Sequence, residues 1–193
     1  TAGPYDARSD TYAGPPPLSA MRFLLRSAAT ERRGRYRSVA IHDITCAFLH
    51  ASMKGETPVF LVLPPGMGPP GCRGKLLCAL YGTRRASFLW GERIAEDFTK
   101  EEAGFVRLRG CGQLFYHPVR GLYVVVHGDD FTFEGPPEAL KEVKKALQKV
   151  WLVKVRATLG PEPTDDKEVS ILNRVIRWTE DALLYEADPR HVE

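Results

Sequence analysis

The sequence LYVVVHGDDFTF spans residues 122–133 and predicts a β-hairpin. Two very apolar runs flank a short turn, and the pair Gly128-Asp129 suits a tight type II′ turn, in which the first central residue has a positive φ. The apolar flanks would bury both strands. The turn then presents two adjacent carboxylates, Asp129 and Asp130, whose mutual repulsion a bound divalent cation would offset.

The rest of the chain alternates between helical and extended patterns around this hairpin. Apolar residues recur at helical spacing over residues 18–32 and 84–102 and in a helix that opens at residues 136–137. Extended patterns cover residues 36–44, 57–63, 113–116, 122–126, 131–133 and 151–155, and residues 75–80 would form a short strand or a turn. Residues 169–178 and 183–185 would form a closing hairpin. This order predicts an α+β fold in which helices cover a largely antiparallel sheet.

Composition places the chain among ordinary globular proteins. It has 193 residues, of which 44% are hydrophobic and 26% charged, and this excludes global disorder, collagen-like repeats and a complete multidomain enzyme. Residues 1–17 are rich in glycine and proline and predict a flexible tail, so that the domain would span residues 18–193. The first residue is not Met, which favours a fragment of a longer protein.

Four cysteines without C-x-x-C spacing indicate reduced thiols. The sequence has no signal peptide and no apolar stretch of transmembrane length. We therefore expect an intracellular protein, in the cytoplasm or the nucleus, with no membrane partner.

The charge is unevenly distributed, although the net value is only +3. Residues 22–37 contain six arginines and one glutamate, residues 73–93 contain five basic residues and one glutamate, and residues 161–193 are acidic overall. Clustered cations of this kind suit the phosphates of nucleic acid. Charge runs also occur on ordinary solvated faces.

Asp43 is a third carboxylate of interest, because it comes near the end of a predicted strand. Mg²⁺ prefers a few carboxylates together with phosphate oxygens and water, and two metal ions roughly 3.5–4 Å apart can activate an attacking oxygen and stabilise a leaving one. Each carboxylate also has a plainer interpretation. Asp43 could cap a helix over residues 45–50, and Gly-Asp pairs are common in simple turns.

The order of several motifs resembles one family. The sequence DITCAFL at residues 43–49 resembles the first catalytic motif of reverse transcriptases, and GDD at residues 128–130 resembles the second. Between them, LYGTRRASFLW at residues 80–90 is similar to the copia-type signature L-Y-G-L-K-Q-A-P-R-x-W, and VFLVLPPG at residues 59–66 is similar to V-Y-M-x-x-P-x-G. Leu140-Lys141 through Leu159-Gly160 and Ile171-Leu172-Asn173 follow the family's downstream pattern. The chain thus resembles a copia-type retrotransposon reverse transcriptase over roughly residues 15–190.

This resemblance implies a polymerase palm with partial fingers and the start of the connection to a thumb. The activity would be that of an RNA-directed DNA polymerase, a nucleotidyltransferase that joins a deoxynucleotide to a primer 3′ hydroxyl. Asp43, Asp129 and Asp130 match the catalytic, metal-binding positions for two Mg²⁺ ions, which Mn²⁺ could replace. Asp43 and Asp129 would be the main ligands, and Asp130 would support them.

The resemblance also implies nucleotide-binding positions at Ile44, Phe48, Gly82 and Arg84. Phe48 would lie under the sugar and exclude a 2′ hydroxyl, although it could equally be a core phenylalanine. Arg84 keeps the positive charge of the family's lysine, or is a solvated helix terminus. Lys154 could donate a proton to pyrophosphate, or is a solvated strand lysine.

The implied partners are an RNA template, a DNA primer and deoxynucleoside triphosphates. The thumb, ribonuclease H and integrase regions of the polyprotein are absent from these 193 residues. His127-Gly128 replaces the family's usual Tyr-Val, so the contact that the tyrosine makes with the primer end is in question. Two alternatives therefore stay open: a catalytically inactive nucleic-acid-binding remnant, and an α+β scaffold in which the carboxylates only cap and turn.

Overall fold

A computed structural model describes residues 16–30 and 36–187, which fall into two compact units. One unit comprises residues 46–97, and the other comprises the described residues of 16–45 and 98–187. The helices are α1 (Leu18–Ala28), α2 (Ala86–Thr99) and α3 (Pro137–Val150), with a 3₁₀-helix over Ala47–His50. The boundary between the units falls inside α2, between Asp97 and Phe98.

Eleven strands are found in the described residues: β1 (Ser38–Ile44), β2 (Phe60–Val62), β3 (Arg73–Lys75), β4 (Val106–Arg107), β5 (Leu114–His117), β6 (Leu122–His127), β7 (Asp130–Gly135), β8 (Val153–Leu159), β9 (Glu168–Ile171), β10 (Arg174–Trp178) and β11 (Leu183–Ala187). They form a six-stranded sheet of order β4-β5-β6-β7-β1-β8, a three-stranded sheet β11-β10-β9 and the pair β2-β3. All strand pairs are antiparallel, which confirms the predicted α+β class. None of the helices in the described residues combines the length and apolar character that crossing a bilayer requires.

The hairpin of residues 122–133 is confirmed as β6 and β7, in the centre of the six-stranded sheet. His127 pairs with Asp130, which leaves Gly128 and Asp129 as a two-residue turn. Gly128 has a φ of 64° and Asp129 keeps a negative φ, the combination that a type II′ turn needs.

The two faces of the large sheet bury different side chains. On one face, Phe131 and Phe133 of β7 pack in an aromatic cluster, in which the Phe98 and Phe105 rings stack at 4.9 Å and the Phe131 and Trp151 rings meet edge to face at 5.6 Å. On the opposite face, α1 packs its apolar side against β1, where Val39 and Ile41 are fully buried. Alternation along each strand therefore assigns odd- and even-numbered residues of β1 to different surroundings.

Two predictions near the chain ends need correction. Residues 169–178 do not form one strand, because Leu172 and Asn173 both adopt positive φ (50° and 58°) and turn the chain between β9 and β10. The first helix ends at Ala28 rather than Arg32, and the Thr30 hydroxyl donates to the Arg26 carbonyl at 2.9 Å. Glycine commonly follows the end of a helix, which predicts that the first helix stops at Gly34. Gly34 and residues 1–15 of the predicted tail lie outside the described residues.

The unit of residues 46–97 holds a short hairpin before α2. Phe60 pairs with Lys75 and Val62 with Arg73. The short strand or turn predicted over 75–80 is instead a strand that begins at Arg73 and ends at Lys75, and Cys78 makes only an isolated bridge with Ser52.

A buried ion pair joins the start of β1 to β7. The guanidinium of Arg37 donates to both carboxylate oxygens of Glu134, including an Nη2–Oε2 contact of 2.9 Å, and to the Gly121 carbonyl at 2.7 Å. The side chain of Arg37 is 6% exposed and that of Glu134 is fully buried. Arg37 is therefore unavailable to bind phosphates. The number of arginines in residues 22–37 that could do so is one smaller than the sequence count of six.

We expect Arg37→Met to lower the free energy of unfolding by about 3–5 kcal/mol, because it leaves the charge of Glu134 buried without a partner. Urea denaturation followed by circular dichroism measures the loss. Arg177→Met is the matched control, since Arg177 makes exposed ion pairs with Glu168 and Glu186 and should lose at most about 1 kcal/mol. Equal losses in the two variants would contradict the structural role of the Arg37–Glu134 pair.

His42 is a buried titratable residue on the aromatic side of β1. Its side chain lies 5.7 Å from the Phe133 ring between centroids, and its Nδ1 has no hydrogen-bond partner among the described residues. Burial is the main cause that lowers the pKa of His42 from 6.5 to about 4, and the positive charge of Lys144 adds to it.

This pKa predicts a loss of stability in mild acid. Between pH 6.5 and 4 the unfolded chain binds a proton at His42 that the folded chain does not, so the free energy of unfolding falls as the pH is lowered, by on the order of 3 kcal/mol from this residue. We expect His42→Leu to lack this contribution. Urea denaturation of both proteins from pH 7 to pH 4 measures the free energy of unfolding at each pH. The value for the variant should rise relative to that of the wild type as the pH falls, and a constant difference between the two would refute the assignment.

Candidate active site

Four polar residues form a row across the centre of the six-stranded sheet. His127 of β6 pairs with Asp130 of β7, Asp130 pairs with Asp43 of β1, and Asp43 pairs with Lys154 of β8. Residues that pair directly across antiparallel strands share a face, with Cβ atoms roughly 4.5–5.5 Å apart. The structure therefore brings Asp43 and Asp130 side by side, with a cationic residue beside Asp43.

The backbone holds the turn against the end of β1. The amide of Ile44 donates to the Asp129 carbonyl at 2.9 Å, and the amide of Thr45 donates to the Leu152 carbonyl at 2.8 Å. The first bond holds the turn residue Asp129 next to the strand that carries Asp43, and the second ties the residue after β1 to the residue before β8. All three carboxylates that the sequence singled out thus lie at one end of β1 and β7.

The structure overturns the interpretation of Asp43 as a helix cap. Asp43 lies within β1, and the 3₁₀-helix of residues 47–50 is preceded by Cys46 in a left-handed conformation with no side-chain capping bond. Asp43 is therefore a strand residue whose side chain points to the same face as Ile41 and Asp130.

The three carboxylates differ in their surroundings. Asp129 is exposed, Asp43 is half-buried, and the Asp130 side chain is only 16% exposed. Burial is the main cause that raises the pKa of Asp130; the charges of Asp129 and Asp43 add to the rise, and the hydrogen bond and charge of Arg156 oppose it. Arg156 therefore favours the ionised form of Asp130 against the effect of burial.

Arg156 is a site residue that the sequence reasoning missed. Its Nη1 donates to Asp130 Oδ1 at 2.9 Å, and its Nη2 donates to the Ser170 carbonyl at 3.0 Å. Ile41 pairs with Ala157 and His42 with Val155, so Arg156 is the extra residue of a β-bulge in β8. The only sequence signal was the alternation of Lys154 and Arg156 with apolar residues, which does not reveal a bulge.

The nucleotide-binding prediction for Ile44 needs a correction. The side chain of Ile44 is 1% exposed and points to the face opposite Asp43, and its amide is already bonded to Asp129. Its part in the site is structural, since it ties the turn to β1.

The other three predicted nucleotide-binding residues lie in the unit of residues 46–97. Phe48 is half-buried, with its ring centroid 4.4 Å from that of Tyr81. Gly82 has a φ of 83°, which lets the chain turn before α2, and the Thr83 hydroxyl donates to the Leu80 carbonyl at 2.7 Å. Arg84 is exposed just before the helix begins.

The basic residues of this unit divide into two groups. Arg85 pairs with Glu56, and Arg93 donates to Asp97 at 2.6 Å. Four cations of this unit are exposed to solvent: Lys54, Arg73, Lys75 and Arg84. The last three are the exposed members of the five basic residues in 73–93. The surface charge that could meet phosphates is therefore smaller than the sequence count indicates.

The carboxylates of the candidate site fit Mg²⁺ as a pair rather than as a group of three. The described residues contain no group of three His, Cys, Asp or Glu side chains arranged to hold a metal ion. Asp43 and Asp129 nevertheless offer hard carboxylate oxygens that remain at least partly open to solvent. Two carboxylates fit Mg²⁺, which is commonly bound by one or two of them with waters and substrate phosphates completing its shell.

Comparison of the chain with protein-family models and with curated proteins found no match.

Proposed function

We propose that the chain is the palm, with part of the fingers, of a copia-type retrotransposon reverse transcriptase, and that it acts as an RNA-directed DNA polymerase. One observation carries the proposal. Asp43 and the Asp129-Asp130 pair, which lie in two motifs far apart in the sequence, meet at one end of two paired central strands. A strand that only served the fold would not need the carboxylates of Asp43 and Asp130 on one face, where they repel each other.

The proposed reaction is attack of a primer 3′ hydroxyl on the α-phosphate of a deoxynucleoside triphosphate. The new phosphodiester bond forms as the bond to the β-phosphate breaks, pyrophosphate leaves and the hydroxyl proton passes to water. Asp43 and Asp129 would hold Mg²⁺, which supplies Lewis-acid activation of the hydroxyl and neutralises charge on the phosphates. Lys154, exposed on the strand next to Asp43, is placed to meet negative charge on the same face. Asp130, held by Arg156, would keep the turn in position beside these groups.

The resemblance also supports nucleotide-binding roles for Phe48, Gly82 and Arg84, each described within the unit of residues 46–97. The aromatic pair of Phe48 and Tyr81 offers a rigid surface for a sugar, and Arg84 offers a positive charge for phosphate. Selection of deoxynucleotides by Phe48 remains part of this proposal.

Primer extension on an RNA template tests the proposal. We expect the chain to add deoxynucleotides to a DNA primer in the presence of Mg²⁺, and Asp129→Asn to reduce the rate about a thousandfold, because a preorganised charge at the reacting phosphate is lost. Gel analysis of extended primers measures the rate. Asp181→Asn is the matched control, since Asp181 is an exposed residue between β10 and β11 and should leave the rate unchanged.

Two results would defeat the polymerase proposal. One is an Asp129→Asn variant that extends primers as fast as the wild type. The other is a wild-type chain that fails to extend primers even when fused to complete fingers and a thumb.

An inactive nucleic-acid-binding remnant is the second candidate. One observation in its favour is the ion pair that Asp130 already makes with Arg156. Another is His127-Gly128, which replaces the Tyr-Val that the family has before its two aspartates. This protein would bind a primer–template duplex without extending it.

Salt dependence separates nucleic-acid binding from a plain scaffold. We expect the affinity for primer–template, measured by filter binding, to fall with rising salt in a log–log plot, because bound cations release counterions from the phosphates. Arg84→Met should reduce the magnitude of that slope by about 1, whereas Arg93→Met, which removes an arginine paired with Asp97, should change it less. A flat salt dependence would reject both nucleic-acid candidates.

A further inference from the structure

We propose that Arg156 is a positioning residue that holds Asp130 in a neutral ion pair outside the metal-binding pair, so that divalent-cation binding depends on Asp43 and Asp129. The inference rests on the proposed function and assigns a role to a residue outside the motifs that carry the resemblance. Its basis is the placement of one guanidinium between a carboxylate and a backbone carbonyl.

The bulge in β8 determines where Arg156 lies. In a regular ladder, the residue next to Ala157 would oppose His42, whose side chain points to the aromatic face of the sheet. The extra residue changes the phase of the strand, so that Val155 opposes His42 and Arg156 is released from pairing. The arginine can then reach Asp130, on the strand beyond β1.

Two anchors fix the guanidinium in place. Nη1 bonds Asp130 Oδ1 at 2.9 Å, and Nη2 bonds the carbonyl of Ser170 in β9 at 3.0 Å. Because the guanidinium is planar and rigid, the backbone anchor also sets the direction of the bond to Asp130. The side chain of Arg156 is 35% exposed and that of Asp130 is 16% exposed, so solvent weakens this ion pair less than it would a fully exposed one.

The ion pair has a direct electrostatic consequence. Three ionised carboxylates would attract a divalent cation strongly, whereas the pair of Asp130 and Arg156 contributes no net charge. Removal of Arg156 alone therefore adds one negative charge beside the cation, and removal of Asp130 alone adds one positive charge. Removal of both leaves the net charge as it was.

Mn²⁺ binding to the full chain, followed by the electron paramagnetic resonance signal of free Mn²⁺, tests the role of Arg156. We expect Arg156→Met to tighten Mn²⁺ binding about tenfold and Asp130→Asn to weaken it about tenfold. The double variant should bind within about threefold of the wild type. Asp129→Asn should abolish saturable binding, and Arg177→Met, which removes an exposed arginine bonded to Glu168, should leave it unchanged.

The double variant gives the decisive result. If Asp130 were itself a metal ligand, the double variant would bind Mn²⁺ clearly more weakly than the threefold limit allows, because a ligand is lost although the net charge is restored, and the inference would be overturned. Unchanged or weaker binding in Arg156→Met would overturn it as well. Circular dichroism of each variant excludes unfolding as the cause of a loss, and Arg156→Lys, which keeps the charge, should bind more like the wild type than Arg156→Met does.

The same titration separates failure of this inference from failure of the proposed function. Saturable Mn²⁺ binding that requires Asp129 but ignores Arg156 would reject the positioning role and leave the polymerase proposal standing. Absence of saturable binding in the wild type would reject the metal site and the positioning role together.

Discussion

The antiparallel pairing of β1 with β7 determines the position of every polar group in the candidate site. It places Asp43 opposite Asp130 at one end and Val39 opposite Glu134 at the other. A slip of one residue would move Asp43 to the aromatic face and His42 to the carboxylate face. The Arg37–Glu134 ion pair opposes such a slip, because Arg37 directly precedes β1 and finds its partner inside β7. The buried ion pair at one end of the strands thus secures the register of Asp43 and Asp130 at the other end.

The sequence could predict the elements that depend on local pattern. Helical spacing of apolar residues marked α2 and α3, and the apolar runs around Gly128 marked the central hairpin. The turn at Leu172-Asn173 was missed because a leucine gives little warning of a positive φ. The short strand β4 was also missed, since two residues at the edge of a sheet leave no periodic signal.

The candidate site was predictable in a different sense. That Asp43 and Asp130 belong together followed from the order of motifs, whereas their being neighbours depends on strand pairing that no local pattern encodes. The sequence could not predict the polar partners Arg37 and Arg156 for the same reason. Arg37 was counted as one more cation in a basic run, and Arg156 lay just beyond the strand predicted over 151–155. Burial and long-range hydrogen bonds give these two arginines their roles.

The bulge in β8 also changes how variation along that strand should be interpreted. Lys154 and Ala157 are three residues apart, yet they share a face, because one opposes Asp43 and the other opposes Ile41. The two halves of the strand therefore follow separate alternations, and a period of two holds only within each half. Deletion of one residue here would merge the two halves into a regular ladder. An insertion or deletion at this point would therefore change which face of the sheet the neighbouring side chains occupy, in addition to the length of the strand.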